Sequence, residues 1–539
     1  MTTIMIFGAG IMQMPGIRLA RRSGWKVIVA DGNKDALGKT LADHFEVVDL
    51  KDREGLLGIA RRYHDLFGLD GVFTAGTDFS SSVAWVAEKM GLPGISFETA
   101  MRATDKCLMR QAFQKAGVPS PRFACVSGCA DAFSVVDGMD FPLVVKPVDN
   151  MGARGVRRVD SREALTDAIR SALPLSRSSR VIVEEYMEGP ELSLDAIVYR
   201  GTVTICGNAD RHIFFPPNFV EMGHTIPTSL DGATKAHIEE IFTAGIRAIG
   251  IDNGVAKGDI KLTPRGPMVG EIAARLSGGY MSGWTFPLSS GVEVTQAAMN
   301  VAVGLPPGDL SPRLHKVVAE RAFISIPGIV ARITGEQEAR GLPGIAEVFT
   351  RVAVGNPVVF PTNNVEKCGN VLAVADTRDA AVQTARAALG CLFIHLEPLQ
   401  DGTTRYLFGG SGHDAFDISD PAVRSGLEGM PSFQGDPVDF EPEQPVPILL
   451  LPGLSRLSCR DWHGLLPDEA VKLAVDGAGV LVDGKDKLAI SAGTHAGFML
   501  SGLFWKAIIR GSAQGGRYLI DSVREASRRG ILERFLAGL

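Results

Sequence analysis

The chain opens with a short apolar run, Ile4 to Phe7, then Gly8 and Gly10, a helical pattern from Pro15 to Ser23, and a second apolar run from Lys26 to Ala30 that ends in Asp31. Strand, glycine turn, helix and strand in that order predict the first βαβ unit of a doubly wound parallel sheet. Phe45 to Asp49 and Gly71 to Thr74 repeat the strand pattern. Arg53 to Phe67 and Ser80 to Met90 repeat the helical one, with Gly91 and Pro93 as its stop. A first domain ending near residue 100 is expected. Its glycines at 8, 10 and 16 miss the G-x-G-x-x-G spacing of a dinucleotide loop, so the loop is read as a turn with room for a small ligand at the strand ends.

A different pattern starts at Thr104, where a helix runs through Ala116 and stops at Gly117 and Pro119. Phe141 to Pro147 is an apolar strand carrying Lys146 near its end, and Asp149 to Val156 is a loop with Gly152 and Gly155. A lysine ending an apolar strand usually snorkels to solvent. A glycine loop three residues on, with backbone N–H groups able to wrap an anion, makes phosphate binding the competing reading. Val181 to Met187 is a second strand, followed by a turn to Glu191 and by Leu192 to Tyr199, where Ser193 and Asp195 alternate with apolar residues.

The densest chemistry lies between Gly254 and Gly279. Val255 to Leu262 and Pro267 to Ala273 read as antiparallel strands joined through Pro264 and Gly266. Counting outward from that turn sets Asp259 opposite Glu271 on one face. A solvated hairpin face is the ordinary reading of two such acids. The apolar residues around Glu271, and Arg275 just beyond it, point instead to Mg²⁺ and the phosphates it carries, which require hard oxygen ligands and a cation. Ser277 to Gly279 could present N–H groups to a carboxylate or phosphate, and Val292 to Val303 follows as a helix.

From about 312 to 398 the pattern is strand-rich, with one helix from Asp379 to Leu389. The Pro- and acid-rich segment from Asp436 to Pro447 reads as a linker. The tail from about 405 carries a strand from Pro447 to Leu451 and helical stretches near 467–474, 496–510 and 516–529, a small α-rich appendage suited to packing or oligomerisation. Ser-Gly-His413 and Thr-His495 in it are not enough to indicate a second active site.

Length and charge narrow the function. At 539 residues the chain is expected to hold three or four domains of roughly 150 residues each. A net charge of −6 argues against nucleic acid and anionic membranes as partners. The seven cysteines, at 107, 125, 129, 206, 368, 391 and 459, form no Cys-x-x-Cys, which favours a reduced compartment over disulfides or zinc. No apolar run reaches 18 residues and no leader pattern precedes the first strand, so a cytoplasmic protein is expected.

Lys106, Lys146, the loop at 149–156, Glu184 to Glu191 and the acid hairpin, in that order, resemble an ATP-grasp enzyme over roughly residues 1 to 400. The layout is similar to that of biotin carboxylase, the formate-dependent glycinamide ribonucleotide transformylase and bacterial amino-acid ligases. The resemblance implies a pre-ATP-grasp α/β domain at 1–100, an ATP-grasp domain at 101–310, a β-rich domain at 311–400 and an appendage at 401–539. It implies that Lys106 and Lys146 contact ATP phosphates under a flap holding Met151, Gly152, Ala153, Arg154 and Gly155. Glu184, Glu185, Tyr186 and Met187 would read adenine through their backbone, and Glu191 would take the ribose hydroxyls. Asp259 and Glu271 would bind Mg²⁺ or Mn²⁺, Arg275 would steady the acyl phosphate, and His224 would line the site. The motif departs from the family at Ala273, where an Asn usually completes the metal shell. A carboxylate-amine ligase with small-molecule substrates, assembled as a homodimer, is expected. A biotin-dependent carboxylase subunit and a nucleotide-binding regulator without chemistry are the alternatives.

Overall fold

The computed structural model describes the chain except for residues 129–135, 137, 411, 419–420, 422–424, 426–440, 444–445, 450–457, 479 and 484–501. Cys129, His495 and most of the expected linker lie outside the described residues, as do the end of the strand expected at 447–451 and the start of the helix expected at 496–510. The chain divides into two compact units. The first holds residues 1–320, 362–364 and 374–381, and the second holds 321–361, 365–373 and 382–539.

The first unit begins with four parallel strands, β1 (Thr3–Phe7), β2 (Lys26–Asp31), β3 (His44–Val47) and β4 (Gly71–Phe73), in the order β3-β2-β1-β4. All five residues of β1 are buried, as a strand covered on both faces must be. Ile4 and Ile6 pack in one layer with Ile17, Ala20 and the helix Val294–Ala302. Met5 and Phe7 pack in the other with Leu56, Leu57, Ala60 and Val86.

Next comes an antiparallel sheet of β5 (Phe123–Val126), β6 (Leu143–Pro147), β7 (Arg157–Val159) and β8 (Val181–Glu185), ordered β5-β8-β6-β7. A larger antiparallel sheet follows, in which β13 (Gly266–Ala273), β12 (Gly254–Thr263), β9 (Glu191–Tyr199), β10 (Thr202–Phe214) and β11 (Val220–Ile226) are successive neighbours. The helix Gly232–Ile249, capped by the Asp231 carboxylate and ended by Gly250 at φ +94°, covers this sheet. Its Phe242 ring lies where a Cβ at Gly258 would sit, 2.4 Å away, so glycine is required there. The helix Lys106–Ala116 starts at Asp105, whose carboxylate accepts from the N–H groups of Cys107 and Leu108.

One expectation is corrected here. Cys107 and Cys125 form a disulfide linking that helix to β5, against the expectation that every thiol is reduced. They lie 18 residues apart with no paired spacing to mark them, and only the fold brings their Cα atoms to 6.2 Å. The tail shares its compact unit with the strand-rich region. In the helix Gly502–Arg528 the Gln514 amide donates to Ser325 Oγ at 2.7 Å, and Tyr518 OH donates to Gln400 O at 2.9 Å. Among the described residues no helix is long and apolar enough to cross a membrane.

Candidate active site

Asp259 on β12 faces Glu271 on β13 directly in the ladder. The route to that pairing differs from the expected one. The hairpin turn holds only Pro264 and Arg265, with Thr263 opposite Gly266, and this register continues to Ile260 opposite Val269. Left unbroken, it would set Asp259 against Gly270 and turn Glu271 to the other face. A bulge between Asp259 and Ile260 leaves Gly270 as the extra residue and restores the two acids to one face.

Cations surround the two acids. Lys106 Nζ lies 3.6 Å from Glu271 Oε2 and donates to Asn150 O at 2.9 Å. Burial alone would raise the Glu271 carboxyl, but Lys106, Lys257, Lys146 and Arg275 outweigh it and hold the pKa at about 2. Asp259 meets Arg211 Nη1 at 2.8 Å and Lys257 on its own strand. Arg211 also binds Glu191 and Glu221, so Glu191, expected at a ribose, is engaged by a guanidinium. Two carboxylates with oxygen-only donors fit Mg²⁺, which keeps several waters in its shell.

A second charge group lies beside the first. Lys146 Nζ is 2.5 Å from Glu184 Oε2, whose Oε1 accepts from Arg110 Nε at 2.7 Å. Burial pushes the Lys146 ammonium down, and the Glu184 carboxylate only partly offsets this. Burial would likewise raise Glu184, yet Arg110 and Lys146 hold it below the usual carboxylate range. Arg110 Nη2 also donates to the bulge carbonyl of Gly270 at 2.6 Å, tying the two groups together.

The loop at 149–156 is anchored at its base by Asp149, which accepts from Ser176 Oγ at 2.9 Å and from the N–H groups of Arg177 and Ser178. Gly152, Ala153 and Gly155 adopt φ of +71°, +60° and +74°, and their N–H groups meet no acceptor among the described residues. Such a run of open N–H groups suits an anion. Arg154 Nη2 lies 3.8 Å from Asp78, and Met151 lines a cleft with Lys106, Glu271, Ala273 and Arg275.

At the strand end beyond Glu184, Glu185 N donates to Arg122 O at 3.0 Å and Tyr186 N to Pro142 O at 3.1 Å. Met187 is the residue of the four whose N–H stays without an acceptor among the described residues, which narrows the expected adenine contact to it. The Glu185 side chain pairs with Arg122 and Arg265. The Tyr186 ring carries the Arg158 guanidinium 4.7 Å from its centroid.

Arg275 is buried and donates from Nη1 to Leu276 O at 3.1 Å. The loop after it is held from two sides. Asp195 on β9 accepts from Ser277 Oγ at 2.7 Å and from Ser277 N at 3.1 Å, and Gly76 N donates to Leu276 O at 3.3 Å. Burial pushes the Asp195 carboxyl up to about 7 against those hydrogen bonds. His224 lies opposite Arg211 in the β10–β11 ladder. Its ring is fully buried, with Nε2 at 2.9 Å from Thr285 Oγ1 and Nδ1 at 3.1 Å from Glu320 Oε2.

Arg110, Lys257 and Arg211 were missed from the sequence. Arg110 follows Lys106 at i+4 on a helix, and Lys257 precedes Asp259 at i−2 on a strand, so both spacings signal a shared face. Arg211 offers no such signal, because its place depends on β10 pairing with β9 and β11.

Three families match the chain: an ATP-grasp N-terminal domain over residues 17–94, an ATP-grasp domain over 139–283 and the L-amino acid ligase C-terminal domain 2 over 322–397. An uncharacterized protein of Sinorhizobium fredii is 28% identical over 67% of this chain and 76% of its own length. The alanine–anticapsin ligase of Bacillus subtilis is 28% identical over 40% of this chain. The chain spans half of that ligase and 35% of the carnosine synthase of Gallus gallus, which is 25% identical over 56% of this chain. Among solved structures, an L-amino acid ligase from Bacillus licheniformis superposes with a TM-score of 0.65 at 23% identity, covering 74% of this chain and 99% of its own, a likeness of fold.

Proposed function

We propose that this chain, which belongs to the ATP-grasp superfamily, is an ATP-dependent ligase that joins a small carboxylic acid or amino acid to an amine through an acyl phosphate. The observation that carries the reading is the convergence of Lys106, Lys146, Lys257 and Arg275 on the ionised Glu271, beneath a loop with open N–H groups. That concentration of cations suits a polyphosphate and the charge developing on a transferred phosphoryl group.

In this reading Lys106, Lys146 and the N–H groups of Gly152, Ala153 and Gly155 orient the ATP phosphates. Asp259 and Glu271 would hold Mg²⁺, which supplies charge neutralisation between the phosphates when bound. An oxygen of the substrate carboxylate attacks the γ-phosphorus and ADP leaves. The amine then attacks the acyl carbon, loses a proton and expels phosphate. Arg275, kept in place by Leu276 O and the Asp195-anchored loop, faces the acyl phosphate with its guanidinium. The ligase C-terminal domain match at 322–397 supports ligation over carboxylation of biotin.

The test is release of ADP and phosphate from ATP and Mg²⁺ over pairs of amino acids and small acids, with the condensed product identified by mass. Turnover that requires both a carboxylate and an amine is the expected result. ATP binding without turnover for any pair would favour the regulator without chemistry.

A further inference from the structure

The second unit contains a cavity of about 880 Å³ that lies wholly within residues 383–477, between the helical segment around Arg386 and the helix Pro467–Val475. This volume is within the range of small-molecule sites. Arg386, Arg460 and Lys472 line it, together with Glu469 and Asp476, which leaves one net positive charge. Arg460 lies 3.8 Å from Glu469, whereas neither Arg386 nor Lys472 meets a carboxylate among the described residues.

The loop forming one wall is fixed by buried groups. Asp461 accepts from the N–H groups of His463 and Leu465 at 2.9 and 2.8 Å, and from Ser512 Oγ at 2.5 Å. Ser512 is buried and stands at φ +51°, ψ −149° inside the helix Gly502–Arg528, a conformation a non-glycine residue adopts only when its surroundings impose it. Arg460 Nη1 donates to Gly464 O at 2.6 Å. Gly464, at φ +87°, lets the Arg386 side chain lie against the loop, since a Cβ there would come within 3.2 Å of Arg386 Nε.

The floor is apolar. Leu465, Leu473 and His463 line this cavity and also a neighbouring one bounded by Phe393 and Trp462. His463 Nε2 accepts from Ile324 N at 3.1 Å, so the neutral ring carries its proton on Nδ1, a further donor for which no protein acceptor is found among the described residues.

We propose that this cavity binds a small monocarboxylate bearing an apolar or aromatic side chain, with the carboxylate on Arg386 and Lys472 and the side chain against Leu465 and Leu473. A single net positive charge suits one carboxylate and is too little for a polyphosphate. The planar Arg386 guanidinium, oriented on Gly464, suits a bidentate carboxylate. The site is separate from the cleft at Glu271 and does not depend on the ligase reading.

The test is calorimetric titration of the full chain with 3-phenylpropionate, 3-phenylpropionamide and inorganic phosphate, on the wild type and on Arg386→Gln, Lys472→Gln and Arg275→Gln. Saturable binding of 3-phenylpropionate is expected, about tenfold weaker or more for the amide and for Arg386→Gln, weakened in Lys472→Gln and unchanged in Arg275→Gln. No saturable binding, equal binding of the amide, or full affinity in both Arg386→Gln and Lys472→Gln would overturn the proposal. Loss in Arg275→Gln alone would place the acid in the other unit and overturn it equally. Phosphate binding as tightly as 3-phenylpropionate would refute the assignment to a carboxylate.

Discussion

Two glycine loops stand at strand ends in the first unit, and they have opposite backbone accounting. In the loop after β1, Ala9 N donates to Asp31 Oδ2 at 2.7 Å, Gly10 N to Gln13 Oε1 at 3.0 Å and Gly8 N to Ala30 O at 2.7 Å. The three donors of that loop are satisfied by β2 and by Gln13. In the loop after β6, Gly152, Ala153 and Gly155 leave their N–H groups open. Glycine content does not separate the two. The count of donors already satisfied does, because a buried N–H without a partner costs free energy unless something else supplies an acceptor.

The sharpest way to break the contrast is to remove the charge behind the open loop. Lys146→Ala should lower kcat/KM for ATP by roughly 10²- to 10³-fold, as loss of a preorganised group at a transferred phosphoryl does. The protein should stay folded by circular dichroism, since Glu184 keeps Arg110. Turnover near wild type would remove the nucleotide assignment.

A matched pair of glycine changes comes next. Gly155→Ala puts a Cβ 2.8 Å from Leu175 Cδ1 at φ +74°, and Gly8→Ala puts one 3.0 Å from Gln13 at φ +94°. Each should cost roughly 1–2 kcal/mol of stability from left-handed backbone strain. Only Gly155→Ala should raise the KM for ATP, by about tenfold. Equal effects on KM in steady-state assays would erase the distinction between the loops.

The Ser277–Gly279 loop is an intermediate case, since Ser277 N is taken by Asp195 while Gly278 and Gly279 have no acceptor among the described residues. The folded pKa of Asp195, about 7, lies above its ordinary value of 3.8. Its contribution to stability is therefore full below about pH 4 and is lost as pH rises through about 7. Asp195→Asn should remove that part of the pH dependence, so its stability relative to wild type should increase from pH 4 to pH 8 in denaturant titrations. A constant difference across that range would show that Asp195 titrates normally.

The smallest expected effect is at Ala273, which lines the cleft with Glu271 and Arg275. Ala273→Asn should keep turnover and lower the Mg²⁺ needed for half-maximal activity by a few-fold, about 1 kcal/mol or less, because the amide oxygen replaces one water. A raised substrate KM with an unchanged metal requirement would mean that Ala273 makes room for substrate instead.

Legibility followed how local each feature is. The helices at Arg53–Phe67 and Ser80–Met90 fall where the sequence reading placed them, because their caps and stops are neighbours in the chain. Strand β10 was not read at all, since its run from Thr202 to Phe214 mixes glycine, Asn, Asp, Arg and His with apolar residues. Its strand character comes from partners on both sides. The helix Gly232–Ile249 was also missed, although Asp231 and Gly250 mark its ends. Arg211 and the Cys107–Cys125 disulfide depend on tertiary placement that no spacing encodes.

The bulge at Gly270 makes residue count a functional variable in its own right. Across the plain two-residue turn the residue facing Asp259 would be Gly270, so the one extra residue must be taken up in a bulge or the acids part to opposite faces. Substitution scanning would score Gly270 by what its side chain displaces, and would miss this. Deleting Gly270 changes no acid and no cation, and it should set Glu271 opposite Asp259 in an unbroken ladder, without the bulge carbonyl that Arg110 holds. Alignments of related hairpins are for the same reason better anchored on the acids themselves, with a one-residue gap allowed at the bulge.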